Sequence, residues 1–186
     1  MNIKKLPYGD SDYGKIIKNN MYYVDKTKYI HELEALSNYI FLIRPRRFGK
    51  SLWINLLQYY YDSNRKDQFD ELFKDTFVGK NPTPCKNKYM TLAFNFGMVD
   101  PKYDRIQEGF QTYVDNIIDD FLIRYQQSFD NQILEEIRSL LSINKKIQNF
   151  SYIVLVINSK YICSLMNMTI SPIPYSQHQA KKSMLN

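Results

Sequence analysis

An apolar run, Tyr39-Ile40-Phe41-Leu42-Ile43, passes into Arg44-Pro45-Arg46-Arg47-Phe48-Gly49-Lys50-Ser51, and a helical apolar pattern starts directly after it. This order constrains the fold more than any other stretch. A short apolar run bounded by turn signals has the pattern of a strand buried on both faces of a parallel sheet. Leu52, Trp53, Leu56, Leu57 and Tyr60 recur at helical spacing and predict a helix over Lys50–Tyr61. A loop between such a strand and helix suits an anion. Glycine lets the backbone approach a phosphate, and the helix N-terminus offers unpaired N–H groups at the positive end of its dipole. The usual phosphate-loop pattern, G-x-x-x-x-G-K-[ST], is met at Gly49, Lys50 and Ser51, whereas Arg44 replaces the first glycine.

The residue chemistry follows from that spacing. Lys50 suits β- and γ-phosphate oxygens, and the Ser51 hydroxyl suits Mg²⁺. Arg44, Arg46 and Arg47 add positive charge around the same concavity, as a polyphosphate requires. The expected nucleotide-binding set is therefore Arg46, Arg47, Phe48, Gly49, Lys50 and Ser51, with Ser51 as metal ligand. A bare Gly-Lys-Ser is common, and an ordinary strand–helix turn with solvated arginines would read the same. The flanking elements favour phosphate binding.

Elsewhere helix and strand patterns alternate. Leu6–Asn20 reads as an opening segment with Gly9 and Gly14 as breakers. Tyr29, Ile30, Leu33 and Leu36 predict a helix ending near Leu36, with Asp25 or Thr27 as its cap. Phe69–Phe73 reads as a short helix, and Val78–Lys88, with Gly79, Pro82 and Pro84, as a loop. Tyr89–Phe96 is expected to be a second strand and Tyr103–Gln127 a long amphipathic helix. A further helix over Asn131–Leu141 and a third strand over Tyr152–Ile157 complete the pattern. Such alternation predicts a parallel α/β layer structure.

Composition narrows the functional classes. The 186 residues are 44% hydrophobic and 15% aromatic, enough for one domain with its own core. No apolar run approaches the roughly 18 residues of a membrane span, and Met1–Pro7 lacks the apolar stretch of a secretory signal. A cytoplasmic protein without membrane contact is expected. Cys85 and Cys163 have no metal spacing. The net charge of +6 would suit nucleic acid, but residues 1–136 hold 19 basic and 19 acidic side chains, and residues 137–186 hold six basic and none acidic. The basic excess thus lies in an acid-free tail, which does not support a nucleic-acid surface on the domain.

Arg44-Pro45-Arg46-Arg47-Phe48-Gly49-Lys50-Ser51-Leu52 resembles the signature of the predicted AAA-ATPase-like family of bacterial P-loop proteins, in which the missing first glycine is normal. Leu6-Pro7-Tyr8-Gly9, Ser11-Asp12-Tyr13 and Tyr22-Tyr23-Val24-Asp25-Lys26-Thr27 resemble that family's N-terminal segment, and Tyr89–Phe96 its next strand, a likeness covering about residues 4–130. The resemblance implies an α/β fold, a P-loop NTPase-like three-layer parallel sheet with flanking helices, here incomplete. It implies ATP and Mg²⁺ as ligands. Members of the family are longer, carry an acidic strand, and often have a C-terminal nuclease-like domain.

An ATPase also needs a carboxylate at the tip of a second strand for Mg²⁺ and the attacking water. Tyr152–Ile157 ends in Asn158-Ser159-Lys160, with no acid after it. A reading-frame shift would account for this. Taken from the third base of each codon, Met166-Asn167 is forced to encode glutamate, and Met168-Thr169 aspartate. Allowed codons from Ser164 to Ile173 give Ile-Asp-Glu-Tyr-Asp-Asn-Phe-Ala-Asn, which resembles the acidic strand end of the same family. The chain then divides into 1–150, the N-terminal part of the P-loop domain, and 151–186, an acid-free tail read out of frame.

Three functional classes stay open at this level: an ATP-binding domain without its hydrolytic acid, a non-functional remnant, and a nucleic-acid-binding module. Catalytic residues and oligomeric state are not legible. His178 beside Gln177 and Gln179 reads as solvated, and His31 has no sequence-evident partner. Tyr59, Tyr60 and Tyr61 read as packing residues, and Asp115, Asp119 and Asp120 as a solvated helix face.

Overall fold

The computed structural model describes residues 4–36, 40, 42–43, 45, 47–95, 106–129, 135 and 162–167, with the backbone alone at 106–107 and 162–167. Helix α1 is Tyr13–Lys18, α2 Tyr29–Ala35, α3 Lys50–Tyr61, α4 Phe69–Phe73 and α5 Phe77–Lys80. Strand β1, Met90–Asn95, precedes the long helix α6, Ile106–Arg124, and strand β2 is Ile162–Asn167. The strands pair in parallel, from Met90 opposite Ile162 to Asn95 opposite Asn167. Parallel pairing requires a crossover, and α6 lies within it.

Side chains along β1 alternate between two packing environments. Leu92 and Phe94 are buried with Val114, Ile118, Phe121, Leu122 and Tyr125 from α6 and the turn after it. Ala93, between them, lines a cleft shared with Ile54, Asn55 and Gln58 of α3. The parallel pair thus has α6 over one face and α3 over the other. A second core joins α1 to α5 around Tyr13, Ile30, Leu56, Tyr60, Phe73 and Val78. Aromatic rings dominate it: Tyr13 lies 5.0 Å from Phe73, and Tyr60 5.6 Å from the same ring.

The end of α3 is tied to the sheet by a buried carboxylate. Asp62 is 2% exposed; its Oδ1 accepts from Asn64 N at 2.8 Å and its Oδ2 from Thr91 Oγ1 at 3.2 Å. Arg65 Nε stands 3.5 Å from Oδ2, and Asn87 Nδ2 donates to the Asp62 carbonyl at 2.9 Å. Tyr125 completes the join, its hydroxyl accepting from Thr91 N at 3.0 Å. Burial raises the Tyr125 hydroxyl's pKa above its usual value.

Several expectations need correction. Gly14 is no breaker: it lies inside α1, where an added Cβ would come 2.5 Å from the Tyr59 hydroxyl. Asp25 and Thr27 do not cap α2, which has no side-chain cap. They reach instead to α5, Asp25 Oδ2 accepting from Phe77 N at 2.7 Å and Thr27 Oγ1 from Val78 N at 3.2 Å. The loop expected at Val78–Lys88 begins within that helix, which Thr76 caps through its side chain.

The apolar run before the phosphate loop also differs. Ile40, Leu42 and Ile43 form no strand and are 42%, 42% and 92% exposed. A strand exists only through a ladder partner, and periodicity cannot name one. The helix expected at Asn131–Leu141 lies outside the described residues except for helical Glu135, and the strand expected at Tyr152–Ile157 lies outside them altogether.

Candidate functional site

Helix α3 begins in the expected loop. Gly49 precedes it with φ 74° and ψ 23°, a left-handed conformation that disfavours side chains, and Arg47 has φ 64°. The N-cap residue Gly49 has no side chain to cap α3, and the first helical bond runs from Trp53 N to the Gly49 carbonyl at 2.9 Å. The amides of the first turn lie at the positive end of the helix dipole. Lys50 is half-buried and Ser51 exposed as the first two helical residues. An added Cβ at Gly49 would meet nothing within 4 Å, so the space beside the turn is open. Open space, first-turn amides, an ammonium and a hydroxyl fit a phosphate chain with its cation.

The loop divides two clefts. On the α2 side, a cleft of about 550 Å³ is lined by Phe48, Gly49, Leu52 and Trp53, facing Tyr22, Tyr29 and Leu33. On the β1 side, a polar cleft of about 190 Å³ is lined by Ser51, Asp12, Asn55, Gln58 and Asn95. Asp12 is engaged there as the cap of α1, its Oδ1 accepting from Lys15 N at 3.1 Å and from the Tyr59 hydroxyl at 3.2 Å. Asn55 Oδ1 accepts from Tyr13 N at 2.7 Å. Ser51 thus shares a cleft with the carboxyl end of β1, where ligands of open α/β sheets usually bind.

The expected site residues separate as follows. Gly49, Lys50 and Ser51 are consecutive at the start of α3, Arg47 is exposed just before them, and Phe48 is 63% exposed on the apolar cleft. Arg44 and Arg46 lie outside the described residues. Among the described residues, Arg47 and Lys50 enter no ion pair. Sequence reasoning missed Trp53, Tyr22 and Glu32 as cleft residues. The signal for Trp53 and Glu32 was the facing of two helical patterns, Tyr29-Leu33-Leu36 and Leu52-Trp53-Leu56, which a linear reading assigns to core, and Tyr22 lies outside both.

Other candidates are accounted for locally. His31 Nε2 is 2.8 Å from the Asn81 carbonyl, its ring edge-on to Phe77. Tyr60 and Tyr61 are buried in the core, while Asp115 accepts from Gln111 and Asp120 pairs with Arg124 at 3.1 Å. Among the described residues, no group of three or more His, Cys, Asp or Glu side chains could hold a metal, and no helix is long and apolar enough to cross a membrane.

A left-handed glycine leading into a helix that opens with Lys50 and Ser51, against a parallel strand pair, has the makings of an ATPase-like domain. The chain belongs to the predicted AAA-ATPase family, whose model matches residues 7–169. The match continues past residue 150 into the acid-free tail and ends just beyond β2. A protein of Azotobacter chroococcum mcd 1, described as an uncharacterized protein in the vnfD 5' region, is 43% identical over 65 residues. That alignment covers 34% of this chain and 13% of the relative's own length. No solved structure matches the chain.

Proposed function

We propose that this chain is a P-loop domain that binds ATP with Mg²⁺ in the cytoplasm and lacks the acidic strand that hydrolysis uses. The observation that carries the reading is the left-handed Gly49 at the start of α3, followed by Lys50 and Ser51. In this reading the first-turn amides and the Lys50 ammonium hold the β- and γ-phosphates, with Arg46 and Arg47 assisting, and the Ser51 hydroxyl holds Mg²⁺. A helix on each face of a parallel pair supports the three-layer fold that such a loop serves.

Hydrolysis requires a base or a water-orienting carboxylate facing the terminal phosphate. The two described strands end in Asn95 and Asn167, side by side in register. An asparagine amide takes no proton from water, and no acid follows residue 136 in the sequence. The frame-shift reading rests on the codons alone, since β2 is built from the present frame. Gene codons incompatible with Ile-Asp-Glu-Tyr-Asp in that frame would dismiss the shift.

Isothermal titration tests the binding claim. The wild-type chain is expected to give a saturable heat with ATP and Mg²⁺, and Lys50→Ala none, with unchanged melting temperatures in the absence of nucleotide. Equal heats from the two proteins would remove the phosphate loop as the binding site.

A further inference from the structure

We propose that the apolar cleft between α2 and α3 seats the purine base of the nucleotide whose phosphates lie at Gly49–Ser51; this rests on the phosphate-loop reading above. Gly49 belongs to both features: it sets the left-handed turn before α3 and it lines the cleft. A ligand holding its phosphates against the first turn of α3 therefore has this cleft beside it. The cleft holds about 550 Å³, within the range of sites that enclose a small organic ligand.

Its lining has the chemistry of a flat heteroaromatic ring. Phe48, Tyr22 and Tyr29 are 63%, 53% and 42% exposed, and Trp53 faces them from α3. Exposed aromatic surface gathered around one concavity marks a binding site more often than it marks ordinary surface. Stacking on such rings suits any base. Selectivity comes from two exposed polar residues on the same cleft, Glu32 and Lys26. The Glu32 carboxylate accepts from an exocyclic amine, and the Lys26 ammonium donates to a ring nitrogen, which together match the edge of adenine.

Trp53 is the only tryptophan in the chain, so any change in tryptophan emission arises from this residue of the cleft wall. The test titrates the full chain, with Mg²⁺ present, against ATP, inorganic tripolyphosphate and adenosine, following tryptophan emission and calorimetric heat together. ATP is expected to change Trp53 emission and to bind roughly tenfold or more tightly than tripolyphosphate, a ratio equivalent to one stacked base. Tripolyphosphate is expected to give heat without a change in emission, and adenosine to give the emission change at higher concentration. Equal affinities for ATP and tripolyphosphate, with silent emission throughout, would overturn the base seat and leave the phosphate loop standing. Absence of heat with both polyphosphates would overturn the loop reading and the seat with it.

Discussion

Replacing Gly79 by alanine probes how firmly the N-terminal helices are locked together. A Cβ at residue 79 would lie 1.7 Å from the Phe73 carbonyl oxygen and 3.2 Å from Lys74 Cα. An ordinary C···O contact is about 3.3–3.6 Å, so one side must retreat by more than about 1 Å. The carbonyl is held in place, accepting from Thr76 Oγ1 at 2.7 Å and Thr76 N at 2.9 Å. Helix α5 is held too, through Asp25 and Thr27 and by Val78, which is fully buried. Retreat of α5 breaks the bond from Phe77 N to the Asp25 carboxylate, a loss of about 1.5–3 kcal/mol. It also loosens Val78, whose full burial contributes about 1.5–3 kcal/mol. Alanine's better helix propensity returns about 1 kcal/mol. The net cost is about 3 kcal/mol, at the upper end of ordinary overpacking. Urea unfolding followed by Trp53 fluorescence measures it. Gly49→Ala is the control: its Cβ meets nothing within 4 Å, so only the left-handed backbone cost of about 1–2 kcal/mol applies. A Gly79→Ala protein no less stable than Gly49→Ala would refute the reasoning.

Two further outcomes follow from the described contacts. Burial raises the hydroxyl pKa values of Tyr13, Tyr23, Tyr60 and Tyr125 above the ordinary 10, so the folded chain keeps protons that the unfolded chain loses. Their stabilising contribution is complete below pH 10 and is lost as pH rises beyond it, so the melting temperature should fall steeply from about pH 10 upward. Tyr13→Phe, which removes a hydroxyl donating to the Leu72 carbonyl at 2.8 Å, should make that fall shallower; an unchanged slope would count against burial as its cause. Asp62→Ala strands Asn64 N and the Arg65 guanidinium at the join of α3, β1 and α6, and should cost about 2–4 kcal/mol in urea unfolding. A loss under about 0.5 kcal/mol would mean that solvent replaces the carboxylate.

Local interactions made part of this protein legible in sequence. Helices α3 and α4 have the limits expected from apolar spacing, because a helix closes its bonds within four residues. The turn at Gly49 was likewise legible, since the glycine and the following helix are neighbours in the chain. The tertiary structure alone decided where distant groups meet. Asp25 looks like a cap for the helix beside it, yet it binds Phe77, 52 residues away. β2 falls at Ile162–Asn167, where no apolar periodicity marked a strand, because pairing with β1 defines it. Ile40, Leu42 and Ile43 have the sequence of a buried strand but are exposed, since burial depends on a partner that five apolar residues cannot specify. The aromatic cleft beside Gly49 has the same origin: each wall is an ordinary helix face, and only their packing turns two faces into one cavity.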